Sequence, residues 1–273
     1  MKVDLHFHTT ASDGKLSSEE IVCLAAELGF NIIAITDHDS VDGLPLASAQ
    51  AFPNLLVIPG IEINTDVPRG EVHILGYFID YTDSELCSTL KWLCNSRWDR
   101  AAKMVAKLRT LGIDIDWHHV QELAQGASIG RPHIAQALLE KSYVTSIKDA
   151  FVKYIGRDGP AYVEHFKLTP VEGVKLITTA QGLPVLAHPA EISNLRELLD
   201  ELKSAGLIGL EVFYDCYSSD VINRLLTTAN EYGLIPTGGS DFHGFEGESM
   251  AELPRIALPQ QSVEQLFALA GKV

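Results

Sequence analysis

Seven short apolar runs punctuate the chain: KVDLH (2–6), NIIAIT (31–36), LLVIPGIEI (55–63), EVHILGYF (71–78), LPVLAH (183–188), IGLEVF (208–213) and LIPTGGSD (234–241). Several are near-continuously hydrophobic and rich in Ile and Val, the pattern of strands covered on both faces, which predicts parallel pairing. Between them lie stretches of helical periodicity with start and stop signals. Ser17-Ser18-Glu19-Glu20 reads as a capping box ahead of Ile21, Leu24, Ala25 and Leu28, with Gly29 as the stop. Thr169-Pro170-Val171-Glu172 repeats the device, with proline at the first helical position. Repeated strand–helix units predict an α/β architecture, either a barrel or a doubly wound sheet.

One region breaks the rhythm. From about Asp83 to about Tyr162 only helical periodicity is present: a long helix through TLKWLCNSRWDRAAKMVAKLRTLG, then shorter ones near 116–124, 132–141 and 146–154. The chain therefore divides into a body (1–82 and 163–273) and a helical insert (83–162). The apolar stripe of the long helix runs Leu86, Leu90, Leu93, then Ala101, Met104, Leu108 and Leu111. At spacings of three and four, the missing member is Arg97, and Arg100 follows one turn later. Cations on that stripe need a counter-charge, either an acidic residue of the body or an anionic ligand held by planar guanidinium groups. Gly130-Arg131-Pro132-His133 places Arg131 at a helix start, where free N–H groups favour an anion. His133 is either part of that site or an ordinary half-buried imidazole. His165, where the insert rejoins the body, is a further candidate for the same cleft, and His118 and His119 read as solvated.

The body carries the denser chemistry. The first run delivers His6 and His8, with Asp13 in the loop after it; the second delivers Asp37, His38 and Asp39. The third contributes Glu62, the fourth His73, the fifth His188, and the last Asp241 and His243. In barrels and open parallel sheets the carboxyl ends of strands are where sites assemble. Residues two apart on a strand point to one face, so His6 and His8 can share a cation, as can Asp241 and His243. So many imidazoles and carboxylates imply more than one divalent ion, and ligation by N and O without thiolates suits Zn, Mn or Fe better than Ca or Mg. Asp37 has an equally good alternative role, bonding backbone near the strand end.

Composition narrows the partners. The 273 residues are 46% hydrophobic and 21% charged, with a formal net charge of −15. Such an acidic chain argues against unspecific adhesion to nucleic acid or anionic lipid, without excluding a phosphorylated ligand in a locally positive site. The four cysteines form no CxxC pair, no run approaches the length of a membrane span, and a signal peptide would consume the His6/His8 pair; a cytoplasmic protein is expected.

DLHFHTTASDG, ITDHDS, GIEIN, HILGYF, LAHP, GLEVF and GSDFH, in this order along the body, resemble the PHP (polymerase and histidinol phosphatase) superfamily. The resemblance implies a distorted seven-stranded β/α (TIM-like) barrel with a trinuclear metal centre that hydrolyses phosphoesters. It assigns His6, His8, Glu62 and Asp241 to one ion, Asp13, His38 and His243 to a second, and bridging Glu62 with His73 and His188 to a third. Mn²⁺ is the expected metal, with Zn²⁺ or Fe²⁺ as alternatives. Such a cluster polarises phosphoryl oxygens and activates a bridging water for in-line attack.

The insert further resembles the branch that hydrolyses nucleoside 3′,5′-bisphosphates at the 3′ position or trims short RNA from its 5′ end. SRWDRAAKM is similar to the substrate-binding helix of the bisphosphate phosphatases, which carries substrate contact over to Arg97 and Arg100, and less directly to Arg131 and His133. Asp39 matches a residue that contacts substrate, and Asp39, His133 and a metal-bound water are the candidates for proton transfer to the leaving group. Three divalent ions would leave about −9 overall, still repulsive to a long polyanion beyond a Debye length of roughly 8 Å. A small nucleotide or the end of a short oligonucleotide fits that field, and a long duplex does not. Three further readings remain: a histidinol-phosphate phosphatase, which needs no second anion anchor; a non-catalytic, polymerase-associated module, against which the complete ligand set argues; and an amidohydrolase, whose bridging lysine has no counterpart in the later runs.

Overall fold

A computed structural model of the chain describes every residue except 51, 68–69, 125–128, 165–166, 246 and 272–273. The chain forms two compact units, one of Met1–Ser88 with Lys167–Val273, the other of Thr89–Phe166. The boundaries fall a few residues later than the change in periodicity suggests, because the first turn of the long helix belongs with the first unit.

In the first unit, all seven apolar runs are strands: β1 (Val3–Phe7), β2 (Ile32–Ile35), β3 (Leu56–Val67), β4 (Gly70–Tyr77), β5 (Leu183–Leu186), β6 (Gly209–Tyr214) and β7 (Ile235–Gly239). They pair in sequence order into one sheet. A parallel bridge between Phe7 and Phe242 brings the two edges together, giving a nearly closed barrel. There His8 N–H donates to Phe242 O (3.0 Å) and Phe242 N–H donates to His6 O (3.3 Å). Gly239 makes the close approach of β7 to β1 feasible, since a Cβ there would stand 2.4 Å from His6 Cβ.

The parallel pairing expected of the apolar runs holds everywhere except at β4. β1/β2, β2/β3, β5/β6 and β6/β7 are parallel, but β4 runs antiparallel to both β3 and β5. The reason is chain length. Only positions 68 and 69 separate β3 from β4, and a parallel crossover needs a dozen or more residues.

Helices cover this sheet: α1 (Ser18–Glu27), α2 (Leu44–Ala49), the start of α3 (Ser84–Thr110), and, after the second unit, α7 (Pro170–Thr179), α8 (Leu195–Ala205), α9 (Ser219–Tyr232) and α10 (Gln260–Leu269). The capping boxes at Ser17/Glu20 and Thr169/Glu172 both form. The core joins Val3, Leu5, Ile32, Ala34, Ile58 and Val185 to Val263 and Leu266 of α10, each large aliphatic contributing about 1.5–3 kcal/mol on burial.

The second unit holds most of α3 with α4 (Trp117–Leu123), α5 (Arg131–Glu140), α6 (Ile147–Ala150) and a π-helical turn, Phe151–Ile155. Met104 and Leu108 of α3 pack with Ile115, Val120, Ile134 and Leu138. The apolar stripe of α3 is buried as predicted except at its end: Leu111 lies beyond the helix and is exposed. His118 and His119 pair with Glu122 and Glu140 at the surface. No helix among the described residues is long and apolar enough to cross a membrane.

Candidate metal centre

Alternation along β1 sends His6 and His8 to one face, as expected, and both rings are fully buried. The chain after β2 stays in register with β3. Glu62 N–H donates to Asp37 O (3.1 Å), Asp39 N–H donates to Glu62 O (2.9 Å), and His38 bridges Glu62. Glu62 is thus a mid-strand residue of β3 rather than a strand-end one. His73 is likewise not at a carboxyl end: it lies near the start of β4, and the antiparallel direction of β4 carries that start to the rim where the other strands finish.

Among the described residues, three of the six non-glycine positions with positive φ belong to this rim: Asp39 (47°), His188 (25°) and Asp241 (56°). Such conformations cost energy and persist where the surroundings over-determine them. Asp241 and His243 are not related by strand alternation, because the chain has left β7 at Gly239, although Asp241 Oδ1 still lies 3.7 Å from His243 Nδ1. Asp241 Oδ1 approaches His8 Nε2 (3.0 Å) and His6 Nε2 (3.3 Å), whereas His243 Nε2 approaches Asp13 Oδ1 (3.3 Å).

The loop that carries Asp13 is pinned by Asp37, which accepts from Thr9 N–H (2.7 Å), Thr9 Oγ1 (2.8 Å) and Ser12 Oγ (2.6 Å). Asp37 joins none of the ligand groups and serves the backbone-bonding role. Gly14 closes the turn, where a Cβ would meet His8 O at 2.4 Å. Asp39 accepts from Asn64 N–H (2.9 Å) and Asn64 Nδ2 (3.0 Å).

Three sets of side chains bring ligand atoms within 4.8 Å of one another: His6, His8, Glu62 and Asp241; His8, Asp13, His38 and His243; and His38, Glu62 and His73. His188 Nε2 stands 3.1 Å from Glu62 Oε1, the oxygen that also lies 3.0 Å from His73 Nδ1. All nine ligands expected from the sequence are therefore brought together, with His8, His38 and Glu62 each falling in two sets.

The fit to cations is visible in unanswered atoms. His6 Nε2, both ring nitrogens of His8, His38 Nδ1, Glu62 Oε2, His73 Nε2 and Asp241 Oδ1 are buried without a hydrogen-bond partner. Buried polar atoms are seldom left so, and a cluster of nitrogen and oxygen donors aimed at common points is the arrangement divalent transition metals require.

Electrostatics agrees. Burial alone would raise Glu62, but the imidazoles around it outweigh burial and hold its carboxyl well below the usual range. Burial disfavours protonated His8 and His73, yet the neighbouring carboxylates win, raising His8 to about 9 and His73 to about 10. Burial dominates at His38, which falls to about 4.

Sequence reasoning missed the supports. Glu211 of β6 is fully buried, with Oε1 2.9 Å from His6 Nδ1 and Oε2 accepting from His188 N–H at 2.7 Å. Tyr214 OH donates to Asp241 Oδ2 (3.0 Å). Asp4, below His6 on β1, accepts from His6 N–H and Ser240 N–H, and burial raises its carboxyl to about 7. An isolated acid inside an otherwise apolar strand, as in IGLEVF and KVDLH, was the available signal.

The remaining candidates lie in the second unit. Arg97 is half-buried on α3. Arg100 Nε donates to Val163 O (2.8 Å), and its guanidinium lies 5.4 Å from the Tyr162 ring. Arg131, the first residue of α5, lies over Phe151 at 5.3 Å, and His133 Nδ1 accepts from Gly130 N–H (3.0 Å), capping that helix. His165 lies outside the described residues.

Residues 4–156 match the PHP domain family model. The chain is 33% identical to a 3′,5′-nucleoside bisphosphate phosphatase of Chromobacterium violaceum, over 94% of this chain and 94% of that protein. It is also 33% identical to the 5′-3′ exoribonuclease Rnm of Escherichia coli, over 88% of this chain and 84% of the relative. A structure assigned as a metal-dependent phosphoesterase from Bifidobacterium adolescentis superposes with a TM-score of 0.82 at 29% identity, covering 98% of this chain and 96% of the other.

Proposed function

The chain belongs to the PHP family, and from that premise we propose that it hydrolyses the 3′-phosphate of a nucleoside 3′,5′-bisphosphate, giving the 5′-monophosphate and inorganic phosphate. The single observation that carries the reading is the convergence of ligand groups from His6, His8, His38, Glu62, His73 and Asp241, five of which bring buried, unpartnered atoms to the cluster while His73 meets it through Nδ1.

His6, His8, Asp13, His38, Glu62, His73, His188, Asp241 and His243 would hold three divalent ions, with Mn²⁺ the best candidate and Zn²⁺ or Fe²⁺ compatible with the same donors. When bound, such ions supply charge to the phosphoryl oxygens and make water a nucleophile near neutral pH. Glu62, held unprotonated by the surrounding imidazoles, offers an oxygen to each side of the cluster. Tyr214 keeps Asp241 turned so that Oδ1 faces His6 and His8. Asp39, fixed by Asn64, is suited to orient substrate or to hand a proton to the leaving oxygen. Arg97, Arg100, Arg131 and His133 are assigned to the second phosphate, since planar guanidinium groups recognise such oxygens in pairs.

The net charge of −15 favours a small nucleotide over a long polyanion. The similarity to the Escherichia coli exoribonuclease supports a second reading, release of mononucleotides from the 5′ end of short RNA. One screen separates them. Phosphate release with Mn²⁺ is measured on adenosine 3′,5′-bisphosphate, AMP, histidinol phosphate and a 5′-phosphorylated trinucleotide. Rapid release from the bisphosphate alone supports the first reading, mononucleotides from the trinucleotide support the second, and selective turnover of histidinol phosphate overturns both.

A further inference from the structure

Glu211 has a fully buried carboxylate, and both of its oxygens are engaged. Oε1 meets His6 Nδ1 at 2.9 Å, and Oε2 accepts from the His188 backbone N–H at 2.7 Å. Glu211 is absent from all three ligand groups. A carboxylate oxygen 2.9 Å from Nδ1 calls for a proton on that ring nitrogen, and a metal-binding imidazole then ligates through Nε2. Nε2 lies 3.3 Å from both Glu62 Oε2 and Asp241 Oδ1 and has no hydrogen-bond partner.

The second contact acts on backbone. His188 has φ of 25°, a conformation that a residue with a Cβ rarely adopts. Its N–H is tied to Glu211, and from that strained position its ring reaches Glu62 Oε1 at 3.1 Å. One carboxylate on β6 thus governs a ligand from β1 and a ligand from the end of β5, which meet opposite oxygens of Glu62.

We propose that Glu211 is a positioning residue. It selects the form of His6 that ligates through Nε2 and holds the His188 backbone in its strained conformation, so that it sets metal occupancy on both sides of Glu62 without ligating a metal itself. Histidine ligands commonly depend on such a carboxylate behind the ring. The inference rests on the reading of this cluster as a metal centre.

Glu211→Gln tests it, because the two side chains have the same shape. If the amide oxygen accepts from His188 N–H, the NH₂ faces His6 Nδ1, and the His6 proton must move to Nε2, the atom that would ligate. If the amide turns over, its NH₂ opposes the His188 N–H. Either way one arm fails.

Equilibrium dialysis of the full chain with Mn²⁺, read by elemental analysis, should show at least one ion bound about 10- to 100-fold more weakly than in the wild type. The metal-free proteins should melt within a few degrees of each other. Nitrogen-15 NMR of the zinc-loaded wild type should find the His6 proton on Nδ1. Wild-type stoichiometry and affinity in the variant, or a wild-type His6 proton on Nε2, overturns the proposal. Should the variant not fold, the wild-type spectrum decides alone. A wild type that takes up no ion overturns the metal-centre reading instead.

Discussion

His73 Nδ1 stands 3.0 Å from Glu62 Oε1, a contact made diagonally across the antiparallel pair β3/β4, in which Glu62 opposes Leu75 and His73 opposes Asn64. A parallel β4 would have sent His73 to the far end of the barrel. The reversal of one strand therefore completes the site, placing an imidazole against the carboxylate that His6, His8, His38 and His188 also approach.

Arg97 tests the assignment of a second phosphate. Arg97→Ala should lower kcat/KM for adenosine 3′,5′-bisphosphate by about 10- to 100-fold, the scale of a charge-assisted hydrogen bond of ~1.5–3 kcal/mol. Turnover of a simple aryl phosphate, which has no second anion, should change little. Parallel steady-state assays on the two substrates check this, and equal losses would remove Arg97 from substrate recognition.

Tyr214 supports the cluster through one hydroxyl. Tyr214→Phe deletes the donor to Asp241 Oδ2 and leaves the ring in place. Loss of a hydrogen bond to a charged acceptor, ~1.5–3 kcal/mol, should weaken Mn²⁺ binding by about tenfold or more. The reduced activity should recover at high Mn²⁺. Activity titrated against metal concentration reads this directly; a loss that metal cannot restore would give Tyr214 a role on the substrate instead.

Protons and metals should compete. Carboxylates raise His8 to about 9 and His73 to about 10 in the metal-free chain, so binding metal must expel those protons. Apparent Mn²⁺ affinity should rise with pH from neutrality toward 9, with proton release visible by calorimetry in buffers of different ionisation heat. For the metal-free protein the sign reverses. A histidine whose folded pKa is raised contributes its full stabilisation below about 6.5, and that contribution is lost as pH climbs through 9 to 10. Melting of metal-free protein across pH 6–10 should therefore show declining stability, while the Mn²⁺-loaded protein gains over the same range.

How much of this was legible beforehand depended on the kind of signal. The seven apolar runs all became strands, because continuous Ile/Val segments bounded by turns and caps have few other outcomes. The nine prospective ligands were legible as a set, since imidazoles and acids at the edges of apolar runs have little other reason to be there. The reason given for two of them was wrong. Glu62 and His73 are not at carboxyl ends, and the seven residues between their two runs (64–70), too few for a crossover, already contained the antiparallel answer. Glu211 escaped because one acid inside IGLEVF leaves the strand pattern intact, and its partners, His6 and His188, lie far away in sequence. Asp241 and His243 fall in different ligand groups although their side chains lie 3.7 Å apart, because two-residue alternation holds only on a strand and the chain leaves β7 at Gly239.

Elemental analysis of wild type and Glu62→Gln, each reconstituted with Mn²⁺ and freed of unbound metal, tests the central claim most directly. The account predicts three ions per wild-type chain, one for each ligand group, and a reduced count in the variant with phosphate release down by at least about 100-fold. A wild-type chain that retains no Mn²⁺, Zn²⁺ or Fe²⁺ after reconstitution would contradict it.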